Sequence, residues 1–222
     1  MEHRAQQGFN LIELMLVIAI MGIAAALTLP AWERIQSNNR AKATARMISN
    51  AFQLARTQAI LAEEQHLVMW GVDAVDACGG GGQLASPIAI LADSDGDCCI
   101  DPGETLINVS PTPNTDFAGL NWGVTFANAA VPEDVGRGSH TTGSSFSDAF
   151  GTQTSRVAFR NDGVPVGLST ACAQGQIGTG GGGVYLTNGG STSGERDYAV
   201  VLSALGAPKV YAWDAARNAW TN

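Results

Sequence analysis

Hydrophobic positions divide the chain into three stretches of different period. Residues 1–8, MEHRAQQG, are polar, and the run FNLIELMLVIAIMGIAAALTLPAW over 9–32 carries Glu13 as its single charged residue. No polar face recurs along that run, so as a helix it is apolar on every side. At about 1.5 Å per residue its 24 residues extend for roughly 36 Å, enough to cross a bilayer. From Glu33 to Glu64 the pattern changes: Ala41, Ala45, Ile48, Phe52, Ala55 and Ala59 recur at spacings of four and three, with Met47, Ala51 and Leu54 beside them. Arg40, Lys42, Arg46, Asn50 and Arg56 fall mostly off this stripe, which predicts an amphipathic helix continuous with the first. Pro30 lacks an N–H and is expected to bend or loosen the helix between the two halves.

Beyond Glu64 the period shortens. Runs punctuated by Gly, Pro, Asp and Asn predict strands at 66–72, 87–93, 104–109, 120–127, 156–161, 183–188, 197–203 and 209–213. Short strands of this kind pair antiparallel, and a long helix laid on them makes an α+β domain. The expected organisation is a polar leader over 1–8, a membrane half-helix over 9–32, an amphipathic half-helix over 33–64 and a β-rich body over 65–222.

Charge narrows the partners. The net charge is −8, with 15 acids against 6 bases from Leu67 onward. Such a body repels a phosphate backbone unless it hides a local basic patch, so nucleic acid is not the expected partner. Arg4 is the fixed positive charge of the leader, which keeps that end cytoplasmic and places the body in the periplasm. In that oxidising compartment Cys78, Cys98, Cys99 and Cys172 are disulfide candidates. Adjacent cysteines do not bridge readily, so Cys98 and Cys99 are expected to pair separately with Cys78 and Cys172, in either arrangement. Four free thiols are the alternative, and no Cys-x-x-Cys suggests a metal site.

Glu13 is the residue that this plan leaves unexplained. A cleaved secretory signal, cut near Ala24-Ala25-Ala26, or a plain single-pass anchor would need no acid there. A carboxylate within a membrane segment is normally paired, and no basic side chain lies nearby in the run. The stretch GFNLIELMLVIAIMGIAAALTLPAW, Gly8 to Trp32, resembles the class III leader and first helix of type IV pilins and type II secretion pseudopilins. The resemblance implies cleavage between Gly8 and Phe9 by a prepilin peptidase, N-methylation of Phe9, and Glu13 as the fifth mature residue. The Phe9 ammonium of one subunit would then neutralise Glu13 of a neighbour, a pair that costs less in lipid than either charge alone.

The tract NNRAKATARMISNAFQLARTQAI (38–60), with VAFRNDGVPVG, GVYLTN and RDYAVVLSALGAPKVYAW further on, resembles the GspH/FimT group of minor pilins and pseudopilins. This implies a pilin-like fold and a minor type IV pilin at the tip or initiation complex of a pilus, in contact with other major and minor pilins. The alternative is a minor pseudopilin of type II secretion. A further alternative is a DNA-binding competence pilin. Against it, Ala207 and Pro208 stand where such proteins tend to carry arginine, and Lys209 and Arg217 are offset by Asp214.

Enzyme chemistry is not indicated. The Gly-rich run Gly178–Val184 lacks the Lys-Ser/Thr of a phosphate loop and reads as a flexible surface loop. His3, His66 and His140 have no metal-ligand spacing, and GSSFSD has no nucleophile-elbow pattern. One acidic motif stands out. In DSDGDCCIDPGE, Asp93, Asp95, Asp97, Asp101 and Glu104 occupy the first, third, fifth, ninth and twelfth places of a calcium-loop spacing, with Ile100 at the apolar eighth. The sixth place, which wants Gly, holds Cys98. Calcium is one expectation, and a solvated acidic turn is the other.

Overall fold

Asn10 starts the helix. In the computed structural model its extended backbone (φ −82°, ψ 139°) turns into α1, Leu11–Ala62, and its side chain accepts from Ile12 N–H at 3.4 Å. An N-cap of this kind satisfies one of the orphan donors of the first turn. The structure describes residues 10–70, 88–109, 128–169, 171–188 and 196–222, without the side chains of 27–31. α1 comprises 52 residues, or about 78 Å at the usual rise. It runs unbroken through Pro30, so the proline does not end the helix. α1 ends where Glu63 takes a left-handed φ of 58° and turns the chain into the first strand.

Among the described residues nine strands form two antiparallel sheets. The first has the order β3-β2-β1-β4-β5, from Leu106–Asn108, Ile88–Asp93, Gln65–Trp70, Arg156–Phe159 and Pro165–Val166. The second is a meander of β6 (Gly182–Leu186), β7 (Tyr198–Leu202), β8 (Pro208–Asp214) and β9 (Ala219–Thr221). The predicted strand 120–127 lies outside the described residues. The pattern missed β5 and β9, which are too short to show alternation.

The stripe on α1 packs across both sheets. Ala41, Ala45, Ile48, Ala51, Phe52, Ala55 and Ala59 share one core with Val68, Trp70, Ile90 and Phe159 of the first sheet and Val184, Leu186, Val200 and Leu202 of the second. Five small alanines let the helix approach closely, while Ile48 and Phe52 fill the space between the sheets. The far face of the first sheet, Leu67, Met69, Leu91 and Ala158, is covered by a second cluster containing Cys98, Leu168 and Cys172. Tyr185, Val201 and Tyr211 on the far face of the second sheet are covered by Val131.

The Gly-rich run is the clearest departure from the sequence expectation. Gly180, Gly181, Gly182 and Gly183 are buried, and β6 starts inside the run. A Cβ on Gly180 would lie 2.3 Å from the carbonyl carbon of Pro165, and one on Gly182 would lie 2.8 Å from the Phe146 ring. These glycines are there for close backbone approach, not for a flexible loop.

Candidate assembly site on the amino-terminal helix

Packing on the body begins late in α1. Ser37 donates to Asn188 Oδ1 at 2.9 Å, Asn38 Oδ1 accepts from Arg196 N–H at 2.8 Å, and Ala41 is the first residue of the core. Before that point the described apolar side chains find no cover. Leu11, Ile12, Leu14, Met15 and Leu16 are 75, 70, 55, 62 and 61 % exposed, and these positions point to all sides of a helix. Ile18, Met21, Ile23, Trp32 and Ile35 are exposed as well. A helix that is apolar all round requires lipid or other helices against it.

Glu13 sits in the first turn, where the helix dipole favours a carboxylate. Among the described residues it forms no ion pair. Gly8 and Phe9 lie outside the described residues, as does the Pro30 ring. Among the described residues no helix is long and apolar enough to cross a membrane; the described side chains of the apolar run stop at Ala26.

The acidic loop is a built turn. Asp93, at the end of β2, is fully buried: its Oδ1 accepts from Gly96 N–H at 2.8 Å, and its Oδ2 accepts from Gln65 Nε2 at 2.7 Å and Cys98 N–H at 3.1 Å. Burial pushes its carboxyl above the ordinary value, against these hydrogen bonds, which favour the charge. Asp97 accepts from Cys99 N–H at 2.7 Å, and Asp95 from Asp97 N–H at 3.3 Å. Carboxylate oxygens of Asp93, Asp95 and Asp97 lie within 4.8 Å of one another. Glu104 is engaged elsewhere, accepting from Ser94 N–H at 2.8 Å and Asp101 N–H at 3.3 Å. Three of the five spaced acids therefore converge, and Asp101 and Glu104 close the turn. Cys98, at the place that wants Gly, adopts that left-handed conformation itself, with φ 61°.

Cys98 is bonded to Cys172 across a sequence separation of 74. Cys99 is also disulfide-bonded, and Cys78 lies outside the described residues. The bond ties the acidic loop to the 168–174 segment over the first sheet, next to Leu67 and Met69. The carboxyl-terminal cations are occupied: Lys209 pairs with Glu133 at 2.7 Å and Arg217 with Asp214 at 3.6 Å.

Buried polar groups anchor the loops over the second sheet. Tyr185 donates its hydroxyl to Asp134 at 2.5 Å, and Ser145 donates to the other Asp134 oxygen at 2.7 Å. Burial and the adjacent Asp134 carboxylate raise the Tyr185 hydroxyl far above the ordinary value, so it remains a proton donor. Strand patterns gave no sign of this network, because its members are 51 and 11 positions apart.

Residues 3–29 match the prokaryotic N-terminal methylation motif. Comparison with curated proteins finds no match. Comparison with solved structures also finds none. Gly8, Phe9 and Glu13 all fall inside the matched stretch, and the chain carries a leader of the type IV pilin and pseudopilin kind on a long helix packed against antiparallel sheets.

Proposed function

We propose that this protein is a minor type IV pilin, a structural and assembly subunit at the tip or initiation complex of a pilus. Prepilin peptidase cuts between Gly8 and Phe9 and methylates the new amine. Residues 9–32 hold the subunit in the inner membrane, with the body in the periplasm, until the helix is drawn into the fibre among other pilins. The observation that carries this reading is the uncovered helix surface from Leu11 to Ile23 within a methylation-motif leader. Its all-round apolar side chains suit lipid before assembly and neighbouring helices after it. The GspH/FimT likeness supports a minor rather than a major subunit. The same helix would serve a minor pseudopilin of type II secretion, and fractionation with pili or with the secretion apparatus distinguishes the two. A DNA-binding role is disfavoured by the pairing of Lys209 and Arg217 with Glu133 and Asp214.

Two measurements test the reading. Mass spectrometry of the mature chain should find N-methylated Phe9; an N-terminus near Leu27 would indicate a secretory signal. Glu13→Val should insert at least as well, because a charge within the segment costs on the order of 2–3 kcal/mol on insertion scales. Its recovery in sheared fibres should fall, since Phe9 of the neighbour loses its counter-charge. Unchanged recovery would remove Glu13 from assembly.

Calcium at the acidic loop is a separate proposal, supported by the convergence of Asp93, Asp95 and Asp97 and by the left-handed Cys98. A resident ion would raise the melting temperature in millimolar Ca²⁺, by about 2.7 kcal/mol of stabilisation at one hundred times Kd. An equal shift with Mg²⁺, or none, leaves a turn held by its own hydrogen bonds.

A further inference from the structure

The acidic body contains a concave cationic site that the sequence pattern did not reveal. Lys42 and Arg46 lie one turn apart on the exposed side of α1. Arg196 leads into β7, and with Tyr198, Val210 and Asn222 the three cations line a cleft of about 400 Å³ between the helix and the edge of the second sheet. Several other cations of the body are engaged: Arg160, Lys209 and Arg217 in ion pairs, Arg56 with Gly206 O at 3.2 Å. Among the described residues Lys42, Arg46 and Arg196 have no acidic partner. Arg196 and Arg46 both pull down the hydroxyl of Tyr198, which burial raises, so their charges act on one point. Three cations without an acidic partner among the described residues converge on this cleft, in a chain of net charge −8, and are placed to receive an anion from outside.

We infer that this cleft takes a carboxylate side chain of a neighbouring pilin-type subunit. The inference rests on the assembly reading above and names a contact within it. Guanidinium forks match a planar carboxylate bidentately. One wall of the cleft is α1, the element that assembly lays against other subunits. A run of phosphates would meet the long-range repulsion of the acidic body, whereas one carboxylate enters between the cations. Acids of the required kind are exposed on pilin bodies such as this one, where Asp95 and Asp97 stand on the acidic loop.

The test is zero-length carbodiimide coupling in envelopes of cells that assemble the full chain. The expected product is an isopeptide bond between Lys42 Nζ and an Asp or Glu of another pilin subunit, identified by peptide mass spectrometry. Arg46→Gln with Arg196→Gln leaves Lys42 in place, adds no carboxylate that could couple to it, and should cut that product about tenfold, because the incoming carboxylate loses both guanidinium partners. Both arginines are exposed, so the variant should fold, and an unchanged near-ultraviolet signal from the aromatic core confirms it. Coupling of Lys42 within its own chain alone, or equal yields from variant and parent, overturns the inference. A short DNA duplex bound by the full chain in detergent, and lost in the variant, would assign the cleft to phosphates and overturn it too. If the parent chain is absent from fibres, the assembly reading itself fails; if it is present and the Lys42 product is not, only the cleft contact fails.

Discussion

Phe52→Ala should lower the unfolding free energy by about 3–5 kcal/mol, the largest effect expected from any single substitution in the body. Phe52 is fully buried and stands where the helix meets the first sheet. Its ring lies 5.8 Å from Trp70 edge-on, 5.9 Å from Phe146 and 6.5 Å from Phe159. Truncation removes the transfer free energy of the ring and leaves a cavity that cannot close, since the backbones around it are fixed by α1 and paired strands. Trp70 also loses one of its edge-on neighbours, so near-ultraviolet dichroism should change along with the denaturant midpoint. Leu54→Ala on the same helix is the control: Leu54 is 39 % exposed, and its loss should cost well under half as much. Equal losses at the two positions would show that the helix does not bury the face assigned here.

Removing the Cys98–Cys172 bond should cost about 2–4 kcal/mol, as expected for a bridge that closes a long segment of the unfolded chain. The separation of 74 residues places it toward the upper part of that range. Both cysteines also hold left-handed backbones, φ 61° and 60°, which L-residues adopt at a cost of about 1–2 kcal/mol each. The crosslink helps to hold those conformations, so without it the acidic loop should relax first. The substitution must be double, Cys98→Ala with Cys172→Ala, because a lone Cys172 thiol could exchange onto the adjacent Cys99. Unfolding of the full chain in detergent should show the lowered midpoint, and hydrogen exchange should show faster opening at Gly96 and Cys98, whose N–H groups are held by Asp93. Wild-type exchange at those two amides would mean that Asp93 alone sets the turn.

The two kinds of information in this chain separate cleanly. α1 was legible because a helix period is written in neighbouring residues: the predicted stripe from Ala41 to Ala59 is the buried stripe, and the uniform apolarity before it is the uncovered surface. Glu13 was legible for the same reason, as one charge breaking a local pattern. The longer strands followed from short apolar runs, to within a residue or two. The two-residue β5 did not, because it holds too few residues to carry a period.

What the sequence pattern could not show, apart from the shortest strands, concerns contacts between distant segments. The glycines of 180–183 look like a loop in isolation; they are buried because Pro165 and Phe146 come against them. Spacing sets the five acids side by side, but does not show that Gln65, 28 residues before Asp93, bonds that carboxylate while Glu104 accepts from Ser94 N–H. Lys42 and Arg46 read as a solvated helix face until β7 brings Arg196 beside them. The sequence by itself determined the leader, the long helix with its two halves and the α+β class, since these depend on the order of polar and apolar residues within a few turns. Strand order, the Cys98–Cys172 bond, the burial of Asp93 and the cationic cleft were decided by tertiary structure, because each depends on which distant surfaces exclude water from one another.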